Sequence, residues 1–401
     1  MTIDGLPHVL AGITFSKQFP NPREPLRGTF VAEQVLATRG EVRWGLIAPA
    51  PWVPGWASAI LQRPAVPATS TFEGLTVAHP SYAVLPRRLL YLSVAPSIAA
   101  ASAETFGHTV EAVRAAFVHA HGIYPSGAAA RRLCARAQLP LVVSVHGSDL
   151  YTNTVKPRWT AEVRRTLDAA SAIVCVSSSL ARDVVGLTGV DASKVVVVPN
   201  TYDTKLFRAC ARRPSETLRL VSVGRLVPEK GFDVLLDAVH ALVAGGVRVI
   251  VTLVGSGREE AALRQQVARL GLEQHVRLAG TLSGSGLGEA LCNADLFVSS
   301  SRREGFGVAI LEALATGLPV VATDSGGPAD LIGSDDGVLV PVGDALALAE
   351  GIRRTAERLS AYDTEGIARR ARNRFGPDIV GAELVRVYQR VVRNASGGSS
   401  R

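Results

Sequence analysis

The chain has 401 residues, 47% of them apolar and 19% charged, which is material for two or three globular domains and unlike a disordered or fibrous chain. Its 43 Lys and Arg against 35 Asp and Glu leave a formal charge of +8, which suits nucleotides, phosphates or an acidic membrane face. That charge is too dispersed, and too poor in interleaved aromatics, for nucleic acid as a partner.

No run reaches the roughly 18 apolar residues of a spanning helix; the nearest, Leu89–Ala101, is broken by Ser93, Pro96 and Ser97. The N-terminal MTIDGLPHVLAGITF lacks a basic region ahead of a long apolar one, so no signal peptide is expected. The expected location is the cytoplasm, free or peripheral at the inner membrane face. Cys134, Cys175, Cys210 and Cys292 are far apart and form no CxxC pair. Neither a zinc site nor a disulfide framework is expected, and each cysteine should pack as a small apolar residue in a reducing compartment.

In chain order, His8–Phe15 reads as a first strand and Gly28–Thr38 as a helix. Val42–Ala48, Val118–His121, Leu141–Ser144, Ala172–Val176 and Lys194–Val198 read as further strands. In the second half the strands are Leu218–Val223, Val247–Val254, Val276–Ala279, Leu296–Ser299 and Pro319–Thr323, with helical patterns such as Phe232–Val243, Glu259–Leu270 and Ala345–Leu359 between them. Near-continuous apolar strands alternating with helices imply parallel sheets covered on both faces. Two such sets imply two Rossmann-like α/β domains, residues 1–200 and 204–377, divided near PNTYDTKLF, Pro199–Phe207. Asp378–Val392 carries Val380, Leu384, Val387, Tyr388 and Val391 at helical spacing. The tail over 394–401 is expected to be disordered.

Three stretches can carry chemistry. VGRLVPEKG, Val223–Gly231, follows a strand and opens a helix, where open α/β sheets bind ligands. Arg225 and Lys230 can hold a phosphate there, or simply cap a helix on the surface. VGSGREE, Val254–Glu260, is a second strand-end glycine turn, either a plain connection or a close approach of backbone to ligand. REGFGVAILEA, Arg303–Ala313, sets Glu304 before a Gly-Phe-Gly turn and Glu312 on the helix expected over Val308–Thr316. The amides of Phe306, Gly307 and Val308 would open that helix, where unpaired N–H groups and the helix dipole attract anions. Carboxylates accept two hydrogen bonds and suit sugar hydroxyls and ribose diols. No GxxxxGK[ST] occurs, nor a GxGxxG after the first strand, which disfavours a P-loop or a dinucleotide oxidoreductase.

EGFGVAILEA resembles the E-x7-E motif of the family 4 retaining glycosyltransferases of the GT-B fold, and VGRLVPEKG resembles that family's phosphate-binding segment. TDSGGPADLI, Thr323–Ile332, is similar to the family's following glycine segment, with Ala329-Asp330 where Pro-Glu is usual. PNTYD is similar to its domain junction, with Thr201-Tyr202 where Gly-Val is usual. Phe19–Gln34 resembles the first loop and helix of members that build surface polysaccharides, and SVHGSDL, Ser144–Leu150, resembles the active-site histidine segment. The resemblance covers roughly residues 8 to 392 and is stronger in the second half.

It implies two domains facing across a cleft, with the last helix, 378–393, crossing back to the N-terminal domain. It implies that Arg225 and Lys230 hold the donor diphosphate and stabilise the leaving group, that Glu304 binds donor-sugar hydroxyls, and that Phe306, Gly307 and Val308 present amides. Glu312 would bind the ribose, Gly28 would admit the diphosphate to the N-terminal loop, and His146 would touch the sugar near the reacting carbon. Asp149 either orients His146 or caps a helix. No Asp-x-Asp occurs, so the two cations would replace a metal and no cofactor is expected. The implied reaction is hexosyl transfer with retention from a nucleotide-diphosphate sugar, UDP before GDP, with the leaving phosphate as base and no covalent intermediate. The acceptor is a lipid-linked or surface glycan, with Pro86–Tyr91 (PRRLLY) as a membrane-contact patch, or else a soluble small molecule. A sugar-nucleotide epimerase on the same scaffold is the alternative from another class.

Overall fold

The computed structural model describes residues 10–52, 65–83, 91–154, 156–211 and 215–397. The chain forms two compact units, one of residues 1–199 with 380–401 and the other of Asn200–Ile379.

The first unit contains strands β1 (Leu10–Phe15), β2 (Val42–Ile47), β3 (Ala50–Pro51), β4 (Thr69–Phe72), β5 (Leu75–Ala78), β6 (Ser81–Tyr82), β7 (Phe117–His121), β8 (Leu141–Val145), β9 (Ala172–Cys175) and β10 (Val195–Val197). Eight of them form one sheet in the order β10-β9-β8-β7-β1-β2-β5-β4, parallel except for the β4–β5 hairpin; β3 and β6 pair separately. β1, β8 and β9 are mainly apolar and, with β7, almost wholly buried, as a parallel sheet covered on both faces requires. The β4–β5 hairpin is exposed or half-buried except at Val77, which joins the core, and its short strands gave no signal in the sequence.

The last helix, Pro377–Gly397, supplies much of this unit's core. Its Val380, Leu384, Val387, Tyr388 and Val391 are buried, at about 1.5–3 kcal/mol each for the larger side chains. The Tyr388 ring stacks on Phe117 at 4.5 Å and meets Trp44 edge-on at 5.6 Å. A side chain on Gly381 would lie 2.3 Å from the Ala37 carbonyl oxygen, so glycine is what lets the helix lie against Thr29–Thr38. The helix continues to Gly397, which corrects the expected tail: 394–397 are helical. The remaining four residues, and Pro86–Leu90 of the PRRLLY patch, lie outside the described residues.

The second unit holds one six-stranded parallel sheet of β11 (Leu218–Val223), β12 (Val249–Val254), β13 (Val276–Gly280), β14 (Leu296–Ser299), β15 (Val320–Thr323) and β16 (Gly337–Val340), in the order β13-β12-β11-β14-β15-β16. β16 was not foreseen, because GVLV is short and lies in a glycine- and aspartate-rich stretch. The order runs outward from β11 and then reverses at β14. The crevice at the carboxyl ends of β11 and β14 is therefore this sheet's topological switch point, where open α/β sheets bind ligands.

The cysteine reading needs correction. Cys134 and Cys175 are buried and unpaired, but Cys210 and Cys292 form a disulfide across 82 residues, with Cα atoms 5.5 Å apart. Sequence spacing carried no sign of it, because the link joins the segment after the domain junction to the end of helix Ser285–Cys292.

Besides His79, which is buried and whose imidazole pKa burial also lowers, three histidines cluster in the first unit's interior. His119 and His121 on β7 are buried, with rings 4.1 Å apart. His119 contacts the Tyr388 hydroxyl through Nδ1 at 2.9 Å and the Ser144 hydroxyl through Nε2 at 2.8 Å. Burial pushes the imidazoles of His119 and His146 down to about 3, with mutual repulsion adding to the effect on His119, and holds His121 well below its ordinary range. A folded-state pKa below that of the unfolded chain means that unfolding takes up protons between about 6.5 and 3. This stability is therefore complete above about pH 6.5 and is lost as pH falls toward 3. Asp149, whose carboxyl burial raises, opposes the trend just above the ordinary carboxylate range.

Denaturant titrations of the first unit's transition at stepped pH should show stability declining below pH 6.5 by up to about 1.4 kcal/mol per pH unit for each buried histidine; a flat profile from 7 to 5 would contradict this. In the second unit, Cys210→Ser or a reductant should lower stability by about 2–4 kcal/mol, from the loop the bridge closes. The readout is the midpoint of that unit's transition, with non-reducing peptide mapping to confirm the bridge in the untreated protein.

Candidate active site

Both motifs of the C-terminal unit leave from its switch point. The Arg225 loop follows β11, and the Glu304 loop follows β14, the strand beside it. The ammonium of Lys230 forms an ion pair with the Glu304 carboxylate, which the Ser301 hydroxyl also meets at 3.4 Å. Two residues 74 apart in sequence thus form one charged pair at the crevice. Arg225 is exposed, and its guanidinium has no ion pair among the described residues.

Close backbone contacts hold these loops. Gly231 has φ 61°, and a Cβ there would lie 2.2 Å from the Ser300 carbonyl oxygen. The Ser300 hydroxyl donates to the Lys230 carbonyl at 3.1 Å, and the Arg302 amide donates to the Glu229 carbonyl at 2.8 Å. The Arg302 guanidinium forks onto both Asp233 oxygens at 2.8 and 2.6 Å and reaches the Pro228 carbonyl at 2.9 Å. That fork holds the Asp233 carboxyl below the usual carboxylate range. Nothing local in the sequence around Ser300, Arg302 or Asp233 says that they clasp the lysine loop.

VGSGREE serves the Arg225 loop. A Cβ on Gly255 would lie 1.9 Å from the Gly224 carbonyl oxygen, and one on Gly257 would lie 2.3 Å from that of Leu226. Leu226 donates to the Ser256 carbonyl at 2.9 Å. These glycines admit neighbouring backbone. Likewise TDSGGPADLI buttresses the Glu304 turn: the Glu304 amide donates to the Ser325 carbonyl at 3.0 Å and the Gly327 amide to the Glu304 carbonyl at 2.8 Å. A Cβ on Gly327 would lie 2.4 Å from the Phe306 Cα.

Phe306 turns its ring into the core, edge-on to Phe375 at 6.0 Å. Gly307, at φ 103°, precedes helix Val308–Ala315, whose first turn has no acidic residue and no side-chain cap. Its N-terminal partial charge is therefore open to an anion. Glu312 is half-buried on this helix between the buried Leu311 and Ala313. At the junction, Thr201 and Tyr202 are buried, and the Thr201 hydroxyl donates to the Phe375 carbonyl at 2.8 Å.

The other two predicted residues belong to the N-terminal unit. Gly28 precedes helix Thr29–Thr38 at φ 66°, and a Cβ there would lie 2.3 Å from the Gln18 carbonyl oxygen. The loop after β1 thus folds on itself, and Lys17 donates its amide to the Ser126 hydroxyl at 3.2 Å. His146 follows β8, with its ring 4.5 Å from that of Phe30. Asp149 accepts from the His146 amide at 3.2 Å and the Ile123 amide at 2.7 Å. It fixes main chain at the start of helix Ser148–Asn153.

Residues 203–363 match the model for glycosyl transferases group 1, and residues 60–206 match that for glycosyltransferase family 4. The protein assigned to teichuronic acid biosynthesis in Bacillus subtilis, the glycosyltransferase TuaC, is 31% identical over 291 residues, 70% of this chain and 71% of TuaC. Among solved structures, HepE of Anabaena in complex with UDP-glucose superposes with a TM-score of 0.72 at 20% identity, over 95% of this chain and 100% of that one. Sucrose-phosphate synthase from Thermosynechococcus elongatus gives 0.78 at 19%, over 96% and 99%. Those two likenesses show the GT-B fold. With the charged pair at the switch point, the open helix N-terminus and the TuaC match, the chain belongs to the family 4, group 1 glycosyltransferases.

Proposed function

We propose that this glycosyltransferase moves a hexosyl group from a nucleoside diphosphate sugar, a UDP-sugar first, to an acceptor hydroxyl in surface-polysaccharide assembly, without a metal and with retention at the anomeric carbon. The observation that carries it is the Lys230–Glu304 pair at the crevice between β11 and β14, beside an uncapped helix start. Breaking the sugar–phosphate bond puts new negative charge on the leaving diphosphate. Lys230, Arg225 and the amides of Phe306, Gly307 and Val308 meet that charge in place of a metal. Glu304 takes sugar hydroxyls as Lys230 turns to phosphate, and Glu312 takes the ribose diol. Gly28 and His146, in the N-terminal unit, are the residues that the motif resemblance implies for the diphosphate and the sugar. The leaving phosphate accepts the acceptor's proton on the face it departs from, which gives retention without a covalent intermediate.

TuaC's assignment to teichuronic acid and the UDP-glucose in the HepE structure support a UDP donor and a surface-glycan acceptor. Among the described residues no three His, Cys, Asp or Glu come together as a metal-binding group. No helix among them is long and apolar enough to cross a membrane. Work on a lipid-linked acceptor would then be peripheral, at the inner membrane face.

Calorimetric titration in EDTA with UDP, GDP and ADP should show one nucleotide binding. Glu312→Gln should weaken that nucleotide about tenfold or more, as loss of a charged hydrogen bond to a diol implies; binding by none, even after Mg²⁺ or Mn²⁺ is added, removes the reading. With the donor so identified, Lys230→Met should lower kcat by about a hundredfold or more, the usual effect of deleting one group that meets transition-state charge. Turnover of the donor with no acceptor would instead indicate epimerase chemistry.

A further inference from the structure

His146 has one polar partner for its ring among the described residues. Its Nε2 lies 3.4 Å from Nδ1 of His121, with the two ring planes 16° apart. Its Nδ1 is buried with no hydrogen-bond partner. Asp149, the nearby acid, spends its oxygens on main-chain amides. Phe30 covers the ring and offers it no acceptor. Behind His121 stands His119, 4.1 Å away ring to ring and held by the Tyr388 and Ser144 hydroxyls. Neither β7 histidine has room to turn aside, since both are almost fully buried.

A neutral imidazole carries one N–H and one lone pair. In the contact between His121 Nδ1 and His146 Nε2, one nitrogen donates and the other accepts. Whichever role Nε2 of His146 takes, its Nδ1 takes the other. The unpartnered Nδ1 thus presents either a proton or a lone pair, and His121 decides which.

We propose that His121 is a positioning residue that fixes the ring tautomer and orientation of His146, and through it the hydrogen-bonding character of the ring that the motif resemblance assigns to the donor sugar. Nothing in the motif resemblance assigns His121 a role. The catalytic part of the proposal rests on the reading that His146 faces the donor; the tautomer part does not. The arrangement parallels metal-site histidines, whose second nitrogen is set by a neighbouring group and whose loss of that group lowers activity roughly 10–100-fold.

The test is long-range proton–nitrogen NMR on protein labelled with ¹⁵N-histidine, at pH 7.5, with the His146 signals assigned by their loss in His146→Ala. Wild type should show His146 in a single tautomer. His121→Phe keeps a ring and removes both nitrogens, so His146 should become a mixture or change tautomer. His121→Asn, whose amide reaches about the Nδ1 position, should keep one tautomer. A mixture in wild type, or an unchanged tautomer in His121→Phe, overturns the proposal. If His121→Phe does not fold, the wild-type and His121→Asn spectra still decide, since a mixture in either overturns it. In the transferase assay, His121→Phe should lower kcat about tenfold with little change in the donor KM, and His121→Asn should recover most of it. If His146→Ala loses activity while His121→Phe keeps it, the positioning role is wrong. If His146→Ala leaves kcat unchanged while the tautomer still follows His121, the lock stands and the placement of His146 at the donor is what fails.

Discussion

The ion pair between Lys230 and Glu304 joins two loops that the chain brings together only because β11 and β14 are neighbours. A parallel sheet wound outward from a central strand and then back must leave a gap at the reversal, since the connecting helices diverge to opposite faces. At that gap the two loops meet without a covering helix. A cation and a carboxylate placed there neutralise each other, and under the proposed function an anionic ligand with hydroxyls would take the place of each partner. Such a ligand can give the ammonium phosphate oxygens and the carboxylate hydroxyl donors, so that neither charge is left unpaired.

That meeting is made precise by missing side chains. Gly231 admits the Ser300 carbonyl, Gly255 and Gly257 admit the Arg225 loop, and Gly327 admits the backbone of Phe306. At each of these a methyl group would meet backbone within about 2.4 Å, and backbone cannot move aside as a long side chain can. The Arg302–Asp233 fork adds a planar, two-point hold on the lysine loop. The glycines of three separate stretches therefore share one purpose, the placement of Lys230, Arg225 and the Glu304 turn.

The N-terminal unit solves a different problem. Its interior carries a cluster of three histidines, which burial keeps uncharged, and its core is completed by a helix from the other end of the chain. Tyr388 of that helix bonds the first of the three histidines. The unit's acid sensitivity and the state of His146 are consequently linked to a residue nearly 250 positions later in the sequence than His146.

The sequence by itself determined the two α/β units, most of their strands and the identities of the charged residues, because parallel strands buried on both faces must be apolar and helices between them must show their own period. REGFGVAILEA and VGRLVPEKG announced themselves through residue type and spacing along single turns. What it did not determine were properties of pairs distant in the chain. The Cys210–Cys292 bridge, the Arg302–Asp233 clasp and the His121–His146 contact have no local signature, and the short strand β16 has no periodicity to read. The role of VGSGREE as a support for the Arg225 loop was equally hidden. A motif records what a residue can do; whether its partner stands beside it is set by strand order, and strand order exists only once the sheet has formed.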